Sequence, residues 1–251
     1  MKEINKWNPD EYGKHTAFVS ELALPVMDLL DPKDGERILD IGCGDGTLAL
    51  EIKSKGADVI GVDLSKEMVE VTKAKGIETF IASVTDLPFD SEFDAIFSNA
   101  VLHWVKDANL AVQNIAKSLK SKGRFVTEFG GKGNMQSVVE VMEEVFVKHP
   151  EFGEFNNPWY FPTVSEYKKL LEEFGFEVEY IELIDRLTPM SSLAKWLDIF
   201  ANGICQNLTN EQFEVFKQEV EEIAKDNIYT TDSSWILDYK CLRVKAIKQD
   251  R

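Results

Sequence analysis

A cluster of glycines after a short apolar run is the part of this sequence best suited to bind a ligand. Gly42, Gly44 and Gly46 follow the apolar run 37–41 directly, and residues 47–55 then have the spacing of a helix. Glycines allow the backbone to approach a ligand closely, and a helix N-terminus offers unpaired N–H groups to an anionic group. The cluster therefore predicts a cofactor site at the end of the first strand.

An acidic residue at the end of the second apolar run extends this prediction. Asp63 ends the run 58–63 and lies 19 residues after Gly44, where a carboxylate can accept hydrogen bonds from ribose hydroxyls. A dinucleotide site requires the spacing G-x-G-x-x-G, but here Gly46 comes one residue early and Thr47 stands in place of the third glycine. An NAD-dependent oxidoreductase is therefore the less favoured alternative.

Apolar strands alternate with helical patterns through the first half of the chain. The predicted strands cover 37–41, 58–63, 79–82, 93–98 and 124–129, and the helices cover 47–55, 65–75 and 107–120. This alternation is typical of a parallel sheet covered on both faces. Right-handed crossovers then give a doubly wound α/β architecture, in which ligands bind at the carboxyl ends of the strands.

The second half of the chain is less regular, and its patterns are amphipathic. Helical spacing recurs over 135–146, 193–204 and 213–223, residues 163–166 have capping-box spacing before another helix, and 176–184 and 241–247 alternate like strands. We predict a single domain over residues 1–251. Its parts are an N-terminal lid segment (1–35), a cofactor-binding core (36–185), a helical cap (186–235) and a final strand (236–251).

Four segments together resemble one enzyme family. The segment 40–46, DIGCGDG, resembles the first motif of class I S-adenosylmethionine-dependent methyltransferases, and residues 87–94, 98–104 and 119–125 resemble later parts of that family. The resemblance implies a Rossmann-like sheet of about seven strands with the last strand antiparallel, plus a helical cap. Within the family, residues 7–12, 99–104 and 128–131 look most like bacterial small-molecule methyltransferases related to trans-aconitate methyltransferases.

The resemblance implies S-adenosylmethionine as the cofactor and assigns residues to its methionine end. Asp40 would hold the ammonium group through water, or else only cap the strand end. Gly42 and Gly44, with Cys43 between them, would present backbone groups to the amino-carboxylate and the ribose. Asn99 would lie beneath the sulfonium through its backbone carbonyl.

The same resemblance assigns residues to the adenosine end. Asp63 would hold the ribose diol, and Leu64 and Met68 would form an apolar wall beside the adenine, although Met68 could equally be helix packing. Ser83 stands where the family often has an acid, so the Ser83 hydroxyl and the Val84 amide would serve the adenine.

Three residues are candidates for the chemistry of methyl transfer. An acceptor such as a carboxylate or thiolate needs no base, whereas a hydroxyl or a protonated amine does. His103 could be that base, or it could pack against Trp104 as lining. Glu128 could orient an acceptor or only cap a turn. Tyr12, in a predicted lid with Trp7, could touch the cofactor or acceptor, or belong to an ordinary N-terminal helix.

The acceptor pocket itself has a few aromatic candidates, which could also be core residues: Trp159, Tyr160, Phe161, Trp196 and Phe200. Lining by several of them would favour a small and partly apolar acceptor. A tricarboxylate would need clustered arginines, and before the terminal residue the second half offers only Arg186 and Arg243. Trans-aconitate itself is therefore disfavoured.

Composition excludes several other classes of function. Lys and Arg number 28 against 44 Asp and Glu, a net charge of −16 that disfavours nucleic-acid and membrane-surface partners. Three cysteines without a CxxC pair and the absence of a secretion signal predict a cytoplasmic protein, and three histidines without ligand-like spacing predict no metal site. We expect a monomer or homodimer that methylates a small molecule, with a non-catalytic S-adenosylmethionine-binding partner protein as the alternative.

Overall fold

The computed structural model describes residues 24–228 and 234–250. Within them, seven strands form one sheet: β1 (Arg37–Ile41), β2 (Asp58–Asp63), β3 (Glu78–Ile81), β4 (Phe93–Asn99), β5 (Leu119–Gly130), β6 (Phe176–Met190) and β7 (Trp235–Lys248). The strand order is β3-β2-β1-β4-β5-β7-β6. β7 runs antiparallel to both of its neighbours, while the pairs among β1 to β5 are parallel. The predicted fold class is confirmed.

The described helices are α1 (Leu24–Leu30), α2 (Thr47–Ser54), α3 (Lys66–Ala74), α4 (Ala108–Ser118), α5 (Gln136–Lys148), α6 (Val164–Glu173), α7 (Leu193–Phe200) and α8 (Asn210–Ile228). Side-chain caps fix several of their starts, because Ser65, Asp107 and Thr163 each accept a hydrogen bond from a first-turn amide. The predicted capping box is present, since Glu166 also accepts the Thr163 amide.

Helix α1 occupies part of the predicted lid segment, and its position corrects that prediction for residues 24–30. Val26 and Leu30 are fully buried and pack with Ile38 of β1 and Val126 of β5. A helix with such a buried apolar face stabilises the sheet and cannot swing over a ligand without exposing that face to water. Most of the predicted lid, residues 1–23, lies outside the described residues.

Strands β6 and β7 extend beyond their predicted limits and form a ribbon that overhangs the sheet. β5 ends at Gly130, which pairs with Cys241, whereas β6 and β7 continue to the pair of Met190 with Trp235. The boundary predicted at residue 185 therefore falls inside β6, and the helical cap begins only at Leu193. Helices α5, α7 and α8 pack around this ribbon in a core of their own.

Strand β5 is also longer than its predicted range, because the helix before it ends early. α4 ends at Ser118, and Leu119 pairs with Phe93 of β4. The predicted helix 107–120 therefore ends two residues early, and residues 120–123 lie in the strand, where the β4–β5 register shifts.

Candidate functional site

The candidate site lies where the strand order reverses, between β1 and β4. β1 pairs with β2 on one side and with β4 on the other, so the loops that leave β1 and β4 turn towards opposite faces. The glycine loop 42–46 follows β1, and residues 100–104 follow β4. This is the usual ligand crevice of an open α/β sheet.

Two glycines of the loop adopt backbone conformations that other residues rarely take. Gly42 has a φ of 70°, and a Cβ there would lie 2.2 Å from Cγ2 of Val101. Gly44 has a φ of 52°, and a Cβ there would have no atom within 4 Å. Gly42 thus lets the loop pack against the segment after β4, while Gly44 borders open space in which a ligand can approach the backbone.

Asp63 is held against the glycine loop. Its Oδ2 accepts the Gly44 amide at 3.0 Å, and its Oδ1 accepts the Ser65 amide at 2.8 Å. Burial raises the pKa of Asp63, although these backbone hydrogen bonds oppose the rise. The Leu64 amide also contributes, so three backbone amides bind a group with about four acceptor positions, and capacity remains for the predicted contact with ribose.

Asp40 is a buried carboxylate with an unsatisfied oxygen. Its side chain is 2% exposed, and Oδ2 has no hydrogen-bond partner in the described part of the chain. Burial, and then the nearby charge of Asp63, raises the pKa of Asp40 to about 7. A buried acid without a partner is costly, and a cation placed beside it would remove that cost. The residue therefore fits the predicted contact with the ammonium group of S-adenosylmethionine.

Three other predicted cofactor residues differ in their exposure. Cys43 is buried, and burial raises the pKa of its thiol. Its side chain packs on β2 at Gly61, so closely that a Cβ added to Gly61 would lie 2.8 Å from the Cys43 Sγ. Met68 is buried too, which favours its role in helix packing. Leu64 is 67% exposed and is free to cover an adenine.

The adenine-side residues form a small turn. The Asp86 amide donates to the Ser83 carbonyl at 2.9 Å, and the Ser83 hydroxyl lies 2.7 Å from Oγ1 of Thr85. The Ser83 oxygen also accepts the Thr85 amide at 3.2 Å, so most of its bonding capacity is used locally. Val84 is buried between them. The adenine contacts of Ser83 and Val84 stay predictions.

The segment after β4 begins with a strained residue. Asn99, the last residue of β4, is followed by Ala100 with a φ of 59°, a left-handed conformation that costs a non-glycine residue roughly 1–2 kcal/mol. The Ala100 amide donates to the Glu128 carbonyl at 2.8 Å, which ties this turn to β5. The turn leaves Asn99 at the edge of the crevice, where its role beneath the sulfonium stays a prediction.

His103 is neutral, and its ring is oriented by the backbone. Burial lowers its pKa to about 3, and the Gly130 amide donates to Nδ1 at 3.2 Å. A neutral imidazole that accepts at Nδ1 carries its proton on Nε2. The ring also contacts Trp104 at 5.3 Å and Phe161 at 6.1 Å between centroids. In this tautomer His103 can donate a hydrogen bond but has no free lone pair to accept a proton.

Glu128 lies in an ion-pair cluster that the sequence analysis did not foresee. Arg186 Nη1 donates to its Oε1 at 2.7 Å, and Arg243 Nε donates to its Oε2 at 2.6 Å. All three residues were candidates from the sequence, but nothing in the sequence placed them next to one another. The alternation of side chains along the strands could have indicated the contact. Every second residue of a strand points to the same face, and Glu128, Arg243 and Arg186 all lie on one face of the sheet.

The aromatic candidates for the acceptor pocket divide into buried and partly exposed residues. Trp159 and Trp196 are 5% and 4% exposed, and Trp196 Nε1 donates to the Tyr239 hydroxyl at 2.8 Å. Both belong to the core of the helical cap. Tyr160 and Phe161 are partly exposed beside His103, where the Tyr160 amide donates to the His103 carbonyl at 2.8 Å. The remaining predicted residue, Phe200, is also partly exposed in this cap.

Across residues 24–228 and 234–250, no group of three His, Cys, Asp or Glu side chains could hold a metal ion. None of the helices in these ranges is long and apolar enough to cross a membrane. Tyr12 and Trp7 lie outside the described residues, so their predicted contacts stay predictions.

Comparison with known proteins agrees with this geometry. Residues 39–127 match the family model described as a methyltransferase domain. An uncharacterised methyltransferase of Schizosaccharomyces pombe, C70.08c, is 31% identical over 97% of this chain and 98% of its own length. The trans-aconitate 2-methyltransferase of Rhodococcus jostii is 24% identical over 85% of this chain and 88% of its own.

A solved structure has the same fold. The crystal structure of a putative methyltransferase from Bacillus halodurans superposes with a TM-score of 0.66 at 19% identity, covering 92% of this chain and all of that one. The chain belongs to the class I S-adenosylmethionine-dependent methyltransferases. Its cofactor is accordingly S-adenosylmethionine.

Proposed function

We propose that the protein transfers a methyl group to a small-molecule acceptor held between the carboxyl ends of β4 and β5 and the helical cap. The observation that carries this proposal is the aromatic wall beside His103. Trp104 contacts Trp159 at 5.7 Å between ring centroids, and Trp159 stacks on Phe161 at 5.8 Å. Trp104 and Phe161 are partly exposed beside the crevice, and the buried Trp159 supports them from the cap core. Partly exposed aromatic side chains at a ligand crevice suit a small, partly apolar ligand. The name of the Rhodococcus jostii relative, a trans-aconitate 2-methyltransferase, also supports a small acceptor.

The residues around the glycine loop would bind and orient the cofactor. Asp40 would accept the ammonium group, Asp63 would accept the ribose hydroxyls, and the backbone at Gly44 would lie against the ligand. When bound, S-adenosylmethionine supplies an electrophilic methyl group whose transfer leaves the electron pair on sulfur. The protein's own contribution is to align the acceptor with that methyl group and to exclude water.

The hydrogen bonds of the two candidate acid–base residues limit the chemical classes of acceptor that the site could methylate. His103 carries its proton on Nε2, and both oxygens of Glu128 accept hydrogen bonds from arginines. Neither is therefore poised to remove a proton, and His103 would instead donate a hydrogen bond from Nε2 to the acceptor. An acceptor that is already nucleophilic at neutral pH, such as a carboxylate or a thiolate, fits this arrangement best.

Calorimetry and turnover together test the proposal. Titration with S-adenosylhomocysteine should show one site per chain, whereas NADH should not bind. With S-adenosylmethionine present, release of S-adenosylhomocysteine should follow addition of a small acid or thiol from a mixed panel. Gly44→Val should abolish binding, because its side chain would fill the open space beside the loop. Cofactor binding combined with methylation of a protein or RNA, and of no small molecule, would refute the proposed acceptor class.

A further inference from the structure

We propose that Arg186 and Arg243 form an anchor for a carboxylate group carried by the methyl acceptor. This inference rests on the function proposed above, and it adds the chemical class of the acceptor. The anchor consists of two guanidinium groups that share one buried carboxylate, Glu128.

The strand register places this anchor on the acceptor side of the crevice. Asn99 of β4 pairs with Glu128 of β5, which pairs with Arg243 of β7. Paired residues point to the same face, so these three side chains share one face, and so does Asp40 through its pairing with Phe97. Neighbouring strands are about 4.8 Å apart, which puts Arg243 roughly 10 Å from Asn99 across the sheet.

Arg186 approaches the same point from above the sheet. It pairs with Tyr239 on the overhanging ribbon, beyond the last pair of β5, and its Nη1 reaches back to Glu128. The two arginines therefore flank Glu128 from the sheet and from the ribbon. Both guanidinium groups keep some exposure, so an acidic group that reached Glu128 from the cap side would meet both of them.

The charges in the cluster are unbalanced. The side chains of Glu128, Arg186 and Arg243 are only 4%, 18% and 13% exposed, yet two positive charges face one negative charge. Glu182 stands opposite Arg243 in the register, but it is exposed, so water screens its charge far more than that of the buried Glu128. An excess positive charge in a poorly solvated place is unfavourable, and one incoming carboxylate would neutralise it.

The two arginines also keep unused hydrogen-bond donors. Each guanidinium has five N–H groups and gives one hydrogen bond to Glu128; the others meet no acceptor among the residues that the structure describes. Arg124, at the opposite end of β5, shows the contrasting arrangement. Both of its Nη atoms bind Glu36 at 2.6 Å, and its Nε binds the Leu30 carbonyl. Arg124 is satisfied by the fold, whereas Arg186 and Arg243 can still bind a planar acid.

A single carboxylate fits the cluster better than a phosphate group does. Among the buried groups of the cluster the excess charge is one, which a monoanionic carboxylate balances. A phosphate dianion would exceed it beside Glu128, since like charges at close range repel. The anchored acid and the atom that receives the methyl group are separate parts of the acceptor, because the anchor lies two strands away from Asn99.

Binding measurements test the anchor independently of turnover. The protein is first saturated with S-adenosylhomocysteine, and a panel of mono-, di- and tricarboxylates of four to eight carbons is titrated alongside the matching amides and inorganic phosphate. At least one acid should bind ten times more tightly than its amide and more tightly than phosphate. If phosphate or the amides bind as well as every acid, the anchor is refuted.

Substitutions of the arginines test whether the acid binds at the anchor. Arg186→Gln should weaken the acid's affinity about 10- to 100-fold, the usual effect of losing a charge-assisted pair, while affinity for S-adenosylhomocysteine changes less than twofold. Arg186→Lys keeps the charge, should fold like the parent, and should restore part of the affinity. Arg37→Gln is the matched control and should have no effect, because Arg37 begins β1 and so lies at the amino ends of the parallel strands, away from the crevice. If the parent protein fails to bind S-adenosylhomocysteine, the proposed function is contradicted. If S-adenosylhomocysteine binds normally but every variant binds the acid as tightly as the parent does, only the anchor is overturned.

Discussion

Asp40→Asn should make the ligand-free protein more stable at alkaline pH and weaken its hold on the cofactor. Burial and the charge of Asp63 raise the pKa of Asp40 from 3.8 to about 7. That difference corresponds to roughly 4 kcal/mol between the two protonation states, at about 1.4 kcal/mol per pH unit. Between about pH 4 and pH 7 the folded protein retains a proton that the unfolded chain has released, so stability falls as the pH rises through this window.

Asparagine cannot ionise, so the variant avoids this loss. Its free energy of unfolding, measured by urea denaturation, should exceed that of the parent at pH 8 by up to about 4 kcal/mol, and the difference should vanish near pH 4. Calorimetry at pH 8 should show weaker binding of S-adenosylhomocysteine, because the negative partner of its ammonium group is gone.

A control with the opposite sign is available on β4. Burial tends to raise the pKa of Asp94, but hydrogen bonds from Lys120 and the Arg37 amide outweigh it and hold the pKa below its usual value. Asp94→Asn should therefore lower stability at pH 8. The reasoning fails if Asp40→Asn is no more stable than the parent at pH 8, or if it binds S-adenosylhomocysteine equally well.

Three further substitutions test separate parts of the structure. Asp63→Ala should weaken S-adenosylhomocysteine binding by about 1–3 kcal/mol in calorimetry, and unchanged affinity would remove Asp63 from the site. Gly42→Ala should destabilise the fold by roughly 1–3 kcal/mol in urea, because its Cβ would collide with Val101, and adding Val101→Ala should recover part of the loss. Hydrogen bonds to Glu151 and Glu219 raise the pKa of His149. The stability that protonated His149 contributes is therefore complete below pH 6.5 and is lost as the pH rises through the elevated pKa. His149→Gln should remove this pH dependence of unfolding, and a variant with the parent's pH–stability curve would contradict the assignment.

The cofactor side of the site was predictable because its signals are local. Gly42 and Gly44 lie in the loop directly after β1, and Asp63 ends β2; the structure brings the Gly44 amide to the Asp63 carboxylate. The helix start at 107 and the capping box at 163–166 were equally visible, since each depends on residues within one turn. Local rules of this kind do not require knowledge of which strands become neighbours.

The acceptor side was less predictable because it depends on strand pairing. Glu128, Arg186 and Arg243 meet only because β7 inserts antiparallel between β5 and β6 in one particular register. A shift of one residue would send every side chain of β7 to the other face. Similarly, the tautomer of His103 depends on the Gly130 amide, which lies 27 residues away in the chain.

The overhanging ribbon has a consequence for how such an enzyme can change its acceptor. Met190 and Trp235 are paired, so the helices between them leave the sheet and return to it at one point. Whatever chain joins these two residues, the seven-strand order and the glycine loop keep their own contacts. An insertion of different length or shape can therefore stand here if it also covers the apolar faces of α5 and the ribbon, and the methyl donor's half of the molecule would remain intact.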